Sequence, residues 1–339
     1  MAARQLMGGK APFLSSATRR EALFAKPGTT NPRLCRRSVC SGSHSLKLVN
    51  HSCLTCQPGA DRVIDYEKNA VNLPEHFRGP PTSGNGGVAT GLYACLGAHF
   101  LETNVAQLQV KLHQPVPLST NLEFHEEQVD NETVSITVGI SGETVLSGWA
   151  SSKTKEPVMS EDTALELQRH VALSEEQKNR FDSYEEVFGP SKDHFAECFV
   201  CGPESRLGLR LRLRQITDQI FWQTWNPERR WEAQGVLASL PAIAALDCTS
   251  ALGFYVNGFL GEHESCLLGT YDAAVTSLPL FDSDEGFRVI SKTRERVGRK
   301  IYTDVGLFGA TGEVHVLGKA TWIVVSPEVA KGYGEETAS

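Results

Sequence analysis

The sequence lacks both an excess of positive charge and long uninterrupted hydrophobic runs. Of its 339 residues, 33 are Lys or Arg and 40 are Asp or Glu, so the formal net charge is −7. A protein that binds nucleic acid mainly by neutralising phosphates needs the opposite balance, so no nucleic-acid partner is expected. The longest apolar run, 235–246, contains Pro241 and is shorter than the stretch of about 18 residues that spans a membrane. No membrane span is therefore expected.

The first 60 residues have almost no acidic side chains and no apolar core of the kind that a secretory signal contains. They hold nine Lys or Arg residues and seven serines against one acid, Glu21. This composition favours an organellar transit peptide, for a plastid or a mitochondrion, over a disordered basic tail. Val39-Cys40-Ser41 is similar to a plastid processing site.

The nine cysteines are an odd number, and without a secretory signal they are expected to be reduced thiols. Two pairs have the CxxC spacing, Cys53/Cys56 and Cys198/Cys201. Four such thiols can hold one zinc ion. The pairs lie far apart in the sequence, however, and the first falls within the leader, with which it would be removed. Buried or incidental thiols are therefore the favoured interpretation, and no metal or cofactor is expected.

The same order of elements, a helix and then strands, occurs twice at a spacing of about 150 residues, which indicates an internal repeat. In the first copy an apolar helix is predicted from Val88 to about Leu101, and strand-like runs follow at 105–116, 121–129, 133–141 and 144–152. In the second copy alternating runs at 207–216 and 220–227 come first. An apolar helix then extends from Ser239, its predicted N-cap, to about Tyr255. Four more runs follow it, at 266–278, 286–298, 300–309 and 314–325.

A charged segment, 156–195, separates the two copies and is predicted to be a helical linker. Ser160 and Ser174 are favourable N-cap residues, and Ser174 with Gln177 forms a capping-box pattern. Each copy is expected to lay its antiparallel strands around its own apolar helix, which defines an α+β fold.

The segments of both copies resemble those of the hotdog superfamily, which includes acyl-CoA thioesterases and acyl-thioester dehydratases. Asn85-Gly86-Gly87, followed by Val-Ala-Thr-Gly-Leu, is similar to the His-Gly-Gly loop and helix of that family. The segments 198–213 (CFVCGPESRLGLRLRL), 244–254 and 298–325 are similar to its opening Cys-x-x-Cys-Gly segment, its helix and its final hairpin. The resemblance implies two tandem hotdog domains, 65–155 and 196–330, between a leader at 1–60 and a tail at 331–339.

The glycine-rich loop before the first helix suits the binding of a developing oxyanion. Backbone N–H groups at a helix N-terminus are free donors, and glycine lets a thioester carbonyl approach them closely. Gly86 and Gly87 fit this role, and Asn85 can donate a further hydrogen bond or orient a water molecule. A purely structural turn is the alternative. A nucleotide-binding loop is excluded because Pro80-Pro81 precedes it and no βαβ unit follows.

The catalytic pattern of the family is divided between the two copies. Where the resemblance implies a helix carboxylate, the first copy has Ala94, and Glu102 falls near the helix end. The second copy lacks the glycines but carries Asp247 among apolar residues. A carboxylate is rarely buried without a partner, so Asp247 is either a catalytic base or a structural acid.

The resemblance implies an acyl-CoA or an acyl carrier protein thioester as the partner. Arg78 and Arg299 are candidates for contacts with the CoA phosphates, with a solvated basic face as the alternative. The predicted function is binding and hydrolysis of an acyl thioester. A non-catalytic acyl-binding or scaffold protein and a dehydratase or hydratase are the alternatives. Whether the chain forms a homo-oligomer stays open at this point.

Overall fold

The computed structural model describes residues 62–172, 195–281 and 286–331. The leader at 1–60, with Cys53 and Cys56, lies outside the described residues. The same is true of Ser174 and of most of the linker.

The first half of the described chain has one long helix and six strands. The helix is α1, Gly86–Leu101. Its strands are β1 (Ile64–Asp65), β2 (Ala70–Asn72), β3 (Gln107–Leu112), β4 (Asn121–Asp130), β5 (Thr133–Ile140) and β6 (Glu143–Ser151). These strands confirm the four runs expected after the helix. Glu102, which was expected near the helix end, is the C-cap of α1 and has the left-handed conformation (φ 54°).

The helix α2, Glu161–Arg169, follows, and the described residues of the second half form three further α-helices and eight strands. The helices are α3 (Ser239–Ala244), α4 (Asp247–Val256) and α5 (Pro327–Lys331). The strands are β7 (Arg214–Gln215), β8 (Ile220–Trp225), β9 (Glu232–Ala233), β10 (Val236–Leu237), β11 (Ser265–Val275), β12 (Phe287–Val297), β13 (Lys300–Phe308) and β14 (Val314–Val325).

Twelve of these strands form one sheet in the order β1-β2-β4-β5-β6-β3-β11-β14-β13-β12-β8-β7. Each strand pair of this sheet in the described chain is antiparallel. The halves meet where β3 pairs with β11, with Val110 opposite Tyr271. At this junction the Gln109 amide donates a 2.5 Å hydrogen bond to the Asp272 carboxylate. The pairing makes the sheet continuous between the two halves.

The helices cover one hydrophobic core that both halves share. Helix α1 packs against β3, β5 and β6, and α4 packs against β8, β12, β13 and β14. The two halves are also joined through the helices, because α1 packs along α3. A second, smaller cluster lies under α2, where Leu167 packs with Ile290 and Phe308.

The second apolar helix differs from the prediction in two respects. It is two helices, because the chain breaks at Ala245 and Leu246, where the Leu246 N–H bonds to the Ile243 carbonyl in a tighter turn. Its N-cap is Ala238, not Ser239, which is already the first helical residue. Pro241 falls in the first turn, where its missing N–H costs nothing.

This helical stretch also corrects the expectation about apolar length. Ser239–Val256 covers 18 residues and has the length and apolar composition of a membrane-spanning helix. Of this stretch, 78% is buried inside the protein, as in the core helix of a soluble domain. The apolar residues of α3 are buried against α1, and those of α4 are buried against the sheet.

The alternating run 207–216 is a strand only at Arg214–Gln215. Its leucines are buried in alternation as expected, at Leu209, Leu211 and Leu213. Their backbone pairs elsewhere, however: Leu209 and Leu211 donate to the carbonyls of Phe199 and Val200. The prediction of a full strand is wrong here because the Cys-x-x-Cys segment takes up these hydrogen bonds.

The N-cap of α2 gives a direct test of the local structure around Ser160. The Ser160 hydroxyl accepts a 3.2 Å hydrogen bond from the Thr163 N–H, as the sequence predicts. We expect Ser160→Ala to lower the free energy of unfolding by about 1 kcal/mol and Ser160→Asp to retain it, because aspartate caps equally well. Urea unfolding followed by circular dichroism measures both. Equal losses in the two variants would contradict a capping role.

Candidate active site

The first turn of α1 is organised by Asn85. Its side-chain oxygen accepts a 3.0 Å hydrogen bond from the Val88 N–H, so Asn85 is the N-cap of the helix. This cap leaves the N–H groups of Gly86 and Gly87 in the first turn, where a helix provides no acceptor of its own. Asn85 itself is 1% exposed. The loop therefore presents two glycine N–H groups, and the helix dipole favours negative charge beside them.

Asp247 is the first residue of α4 and does not lie, as the sequence predicted, inside one continuous helix from Ser239. The break at Ala245 and Leu246 therefore places its side chain at the point where α3 ends and α4 begins. The side chain is 2% exposed, and its Oδ1 atom has no hydrogen-bond partner within the described part of the chain. A buried carboxyl group with one oxygen free of hydrogen bonds can accept a proton or a hydrogen bond from a water molecule at that oxygen.

The structure brings the glycine loop of the first half against the acid of the second. A Cβ atom on Gly87 would lie 2.4 Å from Asp247 Cβ and 2.9 Å from the Ala244 backbone. Only glycine therefore allows this approach. The Gly87 N–H and the Asn85 amide stabilise the charged form of the carboxylate. Three of the four residues predicted as catalytic, Asn85, Gly87 and Asp247, thus lie together.

Burial dominates the electrostatics of Asp247. Loss of solvent raises the pKa of the carboxyl group, and repulsion by Cys198 adds to the rise. Hydrogen bonds from the Gly87 N–H, Asn85 and Cys248 act in the opposite direction, and the resulting pKa is about 7. A carboxyl group in this range is suited to general acid or base catalysis at neutral pH.

Three cysteine thiols complete the surroundings of the acid. The Cys198 and Cys248 sulfurs lie 3.5 Å apart, and Cys248 Sγ lies 3.9 Å from Asp247 Oδ2. The sulfur atoms of Cys198, Cys201 and Cys248 all lie within 4.8 Å of one another. Hydrogen bonds from Cys201 and Cys248 lower the pKa of Cys198, while the same contacts raise the pKa of the other two thiols.

The centre is closed on most sides. Gly86 and Cys248 are half-buried, whereas Asn85, Gly87 and Asp247 are buried. The partly accessible residues of the cluster are therefore Gly86 and Cys248. A separate cavity of about 420 Å³ is lined by Glu166 and residues 217–220 and includes none of these side chains.

The two predicted phosphate-binding arginines lie outside this cluster of contacts. Arg78 forms ion pairs with Glu75 at 2.7 Å and with Glu197 at 2.5 Å. Arg299 is exposed in the turn between β12 and β13, and its Nε donates to the Val324 carbonyl at 3.0 Å. Their predicted role in phosphate binding stays a prediction. Arg78 would have to exchange its carboxylate partners for a phosphate.

Sequence reasoning missed the cysteine cluster. The CxxC spacing marked Cys198 and Cys201, but nothing in the sequence connects them to Cys248. The contact arises because the Cys-x-x-Cys segment is tied to the loop before α1, where Phe199 donates to the Arg78 carbonyl at 2.8 Å.

The continuous antiparallel sheet with a buried helix in each half defines the class of the protein, and the chain has the hotdog fold. Its structure is similar to that of the tesB protein MAP1729c from Mycobacterium avium subspecies paratuberculosis. The two chains are 13% identical, 78% of this chain and 96% of that chain are covered, and the TM-score is 0.51. The predicted hotdog fold is confirmed.

Two further solved structures have similar folds. One is a conserved protein of unknown function with a hot dog fold from Alicyclobacillus acidocaldarius, with 11% identity, 76% and 93% coverage of the two chains and a TM-score of 0.51. The other is an N-terminal dehydratase from the difficidin assembly line, with 12% identity, 76% and 93% coverage and a TM-score of 0.50. No protein-family profile and no curated protein matches the sequence.

Proposed function

We propose that this protein hydrolyses acyl thioesters at a composite site formed by the first turn of α1 and the first residue of α4. The observation that carries the proposal is the direct contact between Gly87 and Asp247, since a Cβ atom on Gly87 would lie 2.4 Å from Asp247 Cβ. The contact joins the donors that the first half offers to the acid that only the second half carries.

The fold that supports this site is two hotdog halves in tandem. The sheet order divides into β1-β2-β4-β5-β6-β3 and β11-β14-β13-β12-β8-β7, and each set of six contains the strands that pack on one buried helix. In this arrangement α1 and α4 are equivalent helices of the two halves, each with its sheet around it. The duplication explains why donor and acid can lie on different copies of the repeat.

The residues divide the work according to their contacts. The Gly87 N–H and the Asn85 amide face the Asp247 carboxylate and orient it. The Gly86 N–H lies in the same turn, on the half-buried side, and is the donor that we assign to the thioester oxyanion. Asp247 takes a proton from the attacking water as the C–O bond forms, and the tetrahedral intermediate collapses with cleavage of the C–S bond. The departing sulfur takes the proton from Asp247, which leaves a carboxylic acid, a thiol and the ionised Asp247. The substrates that we propose for this reaction are thioesters of CoA or of acyl carrier protein.

Dehydration is the second candidate, because an assembly-line dehydratase has a similar fold. A dehydratase on this fold is expected to pair a histidine with an acid. Within the described ranges the neighbours of the Asp247 carboxylate are Gly87, Asn85 and two cysteines. The one histidine of α1, His99, stacks on Tyr66 at 3.8 Å between ring centroids. This geometry favours hydrolysis over dehydration.

The test uses the purified full-length chain and two substrate series, saturated acyl-CoAs and 3-hydroxyacyl-CoAs. Products are followed by liquid chromatography and mass spectrometry, because the protein's own thiols would interfere with a colorimetric thiol assay. We expect free CoA and the carboxylic acid. Formation of an enoyl thioester without free CoA would establish dehydration instead. Binding without turnover of any thioester would establish the non-catalytic acyl-binding function.

A further inference from the structure

Three cysteine sulfurs converge beside α1 and α4 although their residues come from two separate segments. Cys198 and Cys201 are 1% and 5% exposed, and Cys248 is half-buried on α4. Their sulfur atoms lie within 4.8 Å of one another, and the Cys198–Cys248 separation is 3.5 Å. Tetrahedral Zn²⁺ with Zn–S bonds of about 2.3 Å requires sulfurs about 3.8 Å apart. The three thiols are thus spaced for a single ion.

The hydrogen-bond donors around the cluster are those that thiolate ligands attract. The Asn85 Nδ2 atom lies 3.8 Å from Cys198 Sγ and 3.6 Å from Cys248 Sγ. Its orientation is fixed, because the other side-chain atom, Oδ1, caps the Val88 N–H. The backbone N–H groups of Val200 and Cys201 also donate to the Cys198 sulfur. Donors of this kind hold metal-bound thiolates in place from the outer shell.

The Cys-x-x-Cys-Gly segment is folded into a tight turn that is complete without the metal. Cys198 accepts at its carbonyl from the Gly202 N–H at 2.8 Å. A Cβ atom on Gly202 would lie 2.4 Å from the Ala196 carbonyl oxygen and the Cys198 nitrogen. Glycine is therefore required here for steric reasons. The backbone places both sulfurs on the side where Cys248 lies, so ligand positions are set before an ion binds.

We propose that Cys198, Cys201 and Cys248 bind one Zn²⁺ ion, with a solvent molecule in the fourth position. Three thiolates plus an open position are a coordination set that Zn²⁺ accepts. Within the described chain no fourth cysteine joins the cluster. Asp247 stays outside the ligand set, because its carboxylate oxygens do not lie within 4.8 Å of all three sulfurs.

The proposed zinc site has a structural role that is independent of thioester hydrolysis. The ion ties the Cys-x-x-Cys segment to α4, and Asn85 ties both to the start of α1. The three thiols lie together only in the folded chain, so an ion that binds all three stabilises the folded state. We therefore expect chelation to lower the stability of the whole protein even if no thioester is hydrolysed.

The experiment measures the metal content of the full-length chain, purified anaerobically, by inductively coupled plasma mass spectrometry. We expect zinc equimolar with protein, and loss of it in Cys198→Ser, Cys201→Ser and Cys248→Ser. Cys266→Ala is the matched control, since it removes a buried thiol outside the cluster that pairs with the Tyr255 hydroxyl. Asn85→Ala should weaken zinc binding by a factor of about 10.

Co²⁺ added to the metal-free chain gives a reading that does not depend on whether a cysteine variant folds. We expect a thiolate-to-cobalt charge-transfer band together with intense visible bands. The same bands, at the same intensity, are expected in Asp247→Asn and in the double variant Cys53→Ala/Cys56→Ala. Retention of the metal in an inactive Asp247→Asn separates this proposal from the proposed hydrolysis. A wild-type chain without metal or without the cobalt band, a disulfide within the cluster of the freshly isolated chain, or equal zinc in Cys248→Ser would overturn it.

Discussion

Replacing Asp247 by asparagine is expected to lower the rate of thioester hydrolysis by a factor on the order of 10²–10⁴, the range that a positioned general base contributes. Asparagine has the same shape and can still accept a hydrogen bond from the Gly87 N–H, but it cannot take a proton from water. The readout is the release of CoA and free acid by mass spectrometry at saturating substrate.

The matched control is Asp304→Asn. Asp304 is also buried, at 1% exposure, and burial raises the pKa of its carboxyl group as well. It lies on β13 and is paired with Arg294 at 3.6 Å, away from the contacts of Gly87. We expect its activity to equal that of the wild type. If Asp247→Asn and Asp304→Asn both retained full hydrolysis, Asp247 would be a structural acid.

Asparagine at 247 is not expected to destabilise the protein. Burial of an ionised carboxylate costs free energy, and the neutral amide avoids that cost. The urea midpoint of Asp247→Asn should therefore be equal to or above that of the wild type. A lower midpoint together with lost activity would mean that the acid acts by holding the helix ends in place.

Local patterns predicted most of the strands and the first helix, because each has its own hydrophobic period and its own end signals. The first helix was expected from Val88 to about Leu101 and extends over Gly86–Leu101; its N-cap, Asn85, was expected only as a hydrogen-bond donor or a group that orients water. Alternation likewise predicted β5, where Val134, Ile136 and Val138 are buried. Local sequence is sufficient for such elements because their hydrogen bonds are local or lie in neighbouring hairpins.

The composite site could not be predicted in the same way. The contact between Gly87 and Asp247 spans both copies of the repeat and depends on the pairing of β3 with β11 and on the packing of α1 along α3. Neither leaves a periodic signal. The helix break before Asp247 was missed for a related reason, because the apolar run through Ala245 and Leu246 continues unchanged on both sides.

The cysteine cluster could be predicted only in part from the sequence. CxxC spacing indicates that two thiols can bind the same metal ion, but which residue supplies the third ligand depends on tertiary structure. No spacing in the sequence connects Cys248 to Cys198, because the two residues meet only in the folded chain. Our proposal of a three-cysteine zinc site therefore replaces the expectation of incidental thiols, and it rests on geometry that only the folded chain provides.

Close packing of the two halves depends on Gly91 as well as on Gly87, and Gly91→Ala is expected to destabilise the protein by about 1–2 kcal/mol. In an isolated helix this change would add about 1 kcal/mol of stability, because alanine has the higher helix propensity. Here, however, the added Cβ would lie 2.8 Å from the Leu240 carbonyl oxygen and 2.9 Å from its Cα. These are backbone atoms of α3, so no side-chain rotation relieves the contact. Overpacking of this kind costs about 1–3 kcal/mol or more, which outweighs the gain in propensity.

Urea unfolding measures this effect as a lower midpoint with an unchanged slope. Gly261→Ala is the control, since Gly261 has no positive φ and its added Cβ would meet Glu264 only at 3.4 Å, an ordinary contact. The double variant Gly91→Ala/Leu240→Ala should not recover stability, because the obstructing atoms are backbone. A midpoint at or above the wild-type value for Gly91→Ala would show that α1 and α3 separate readily. The contact between Gly87 and Asp247 would then be loose as well, because α3 leads directly into Asp247.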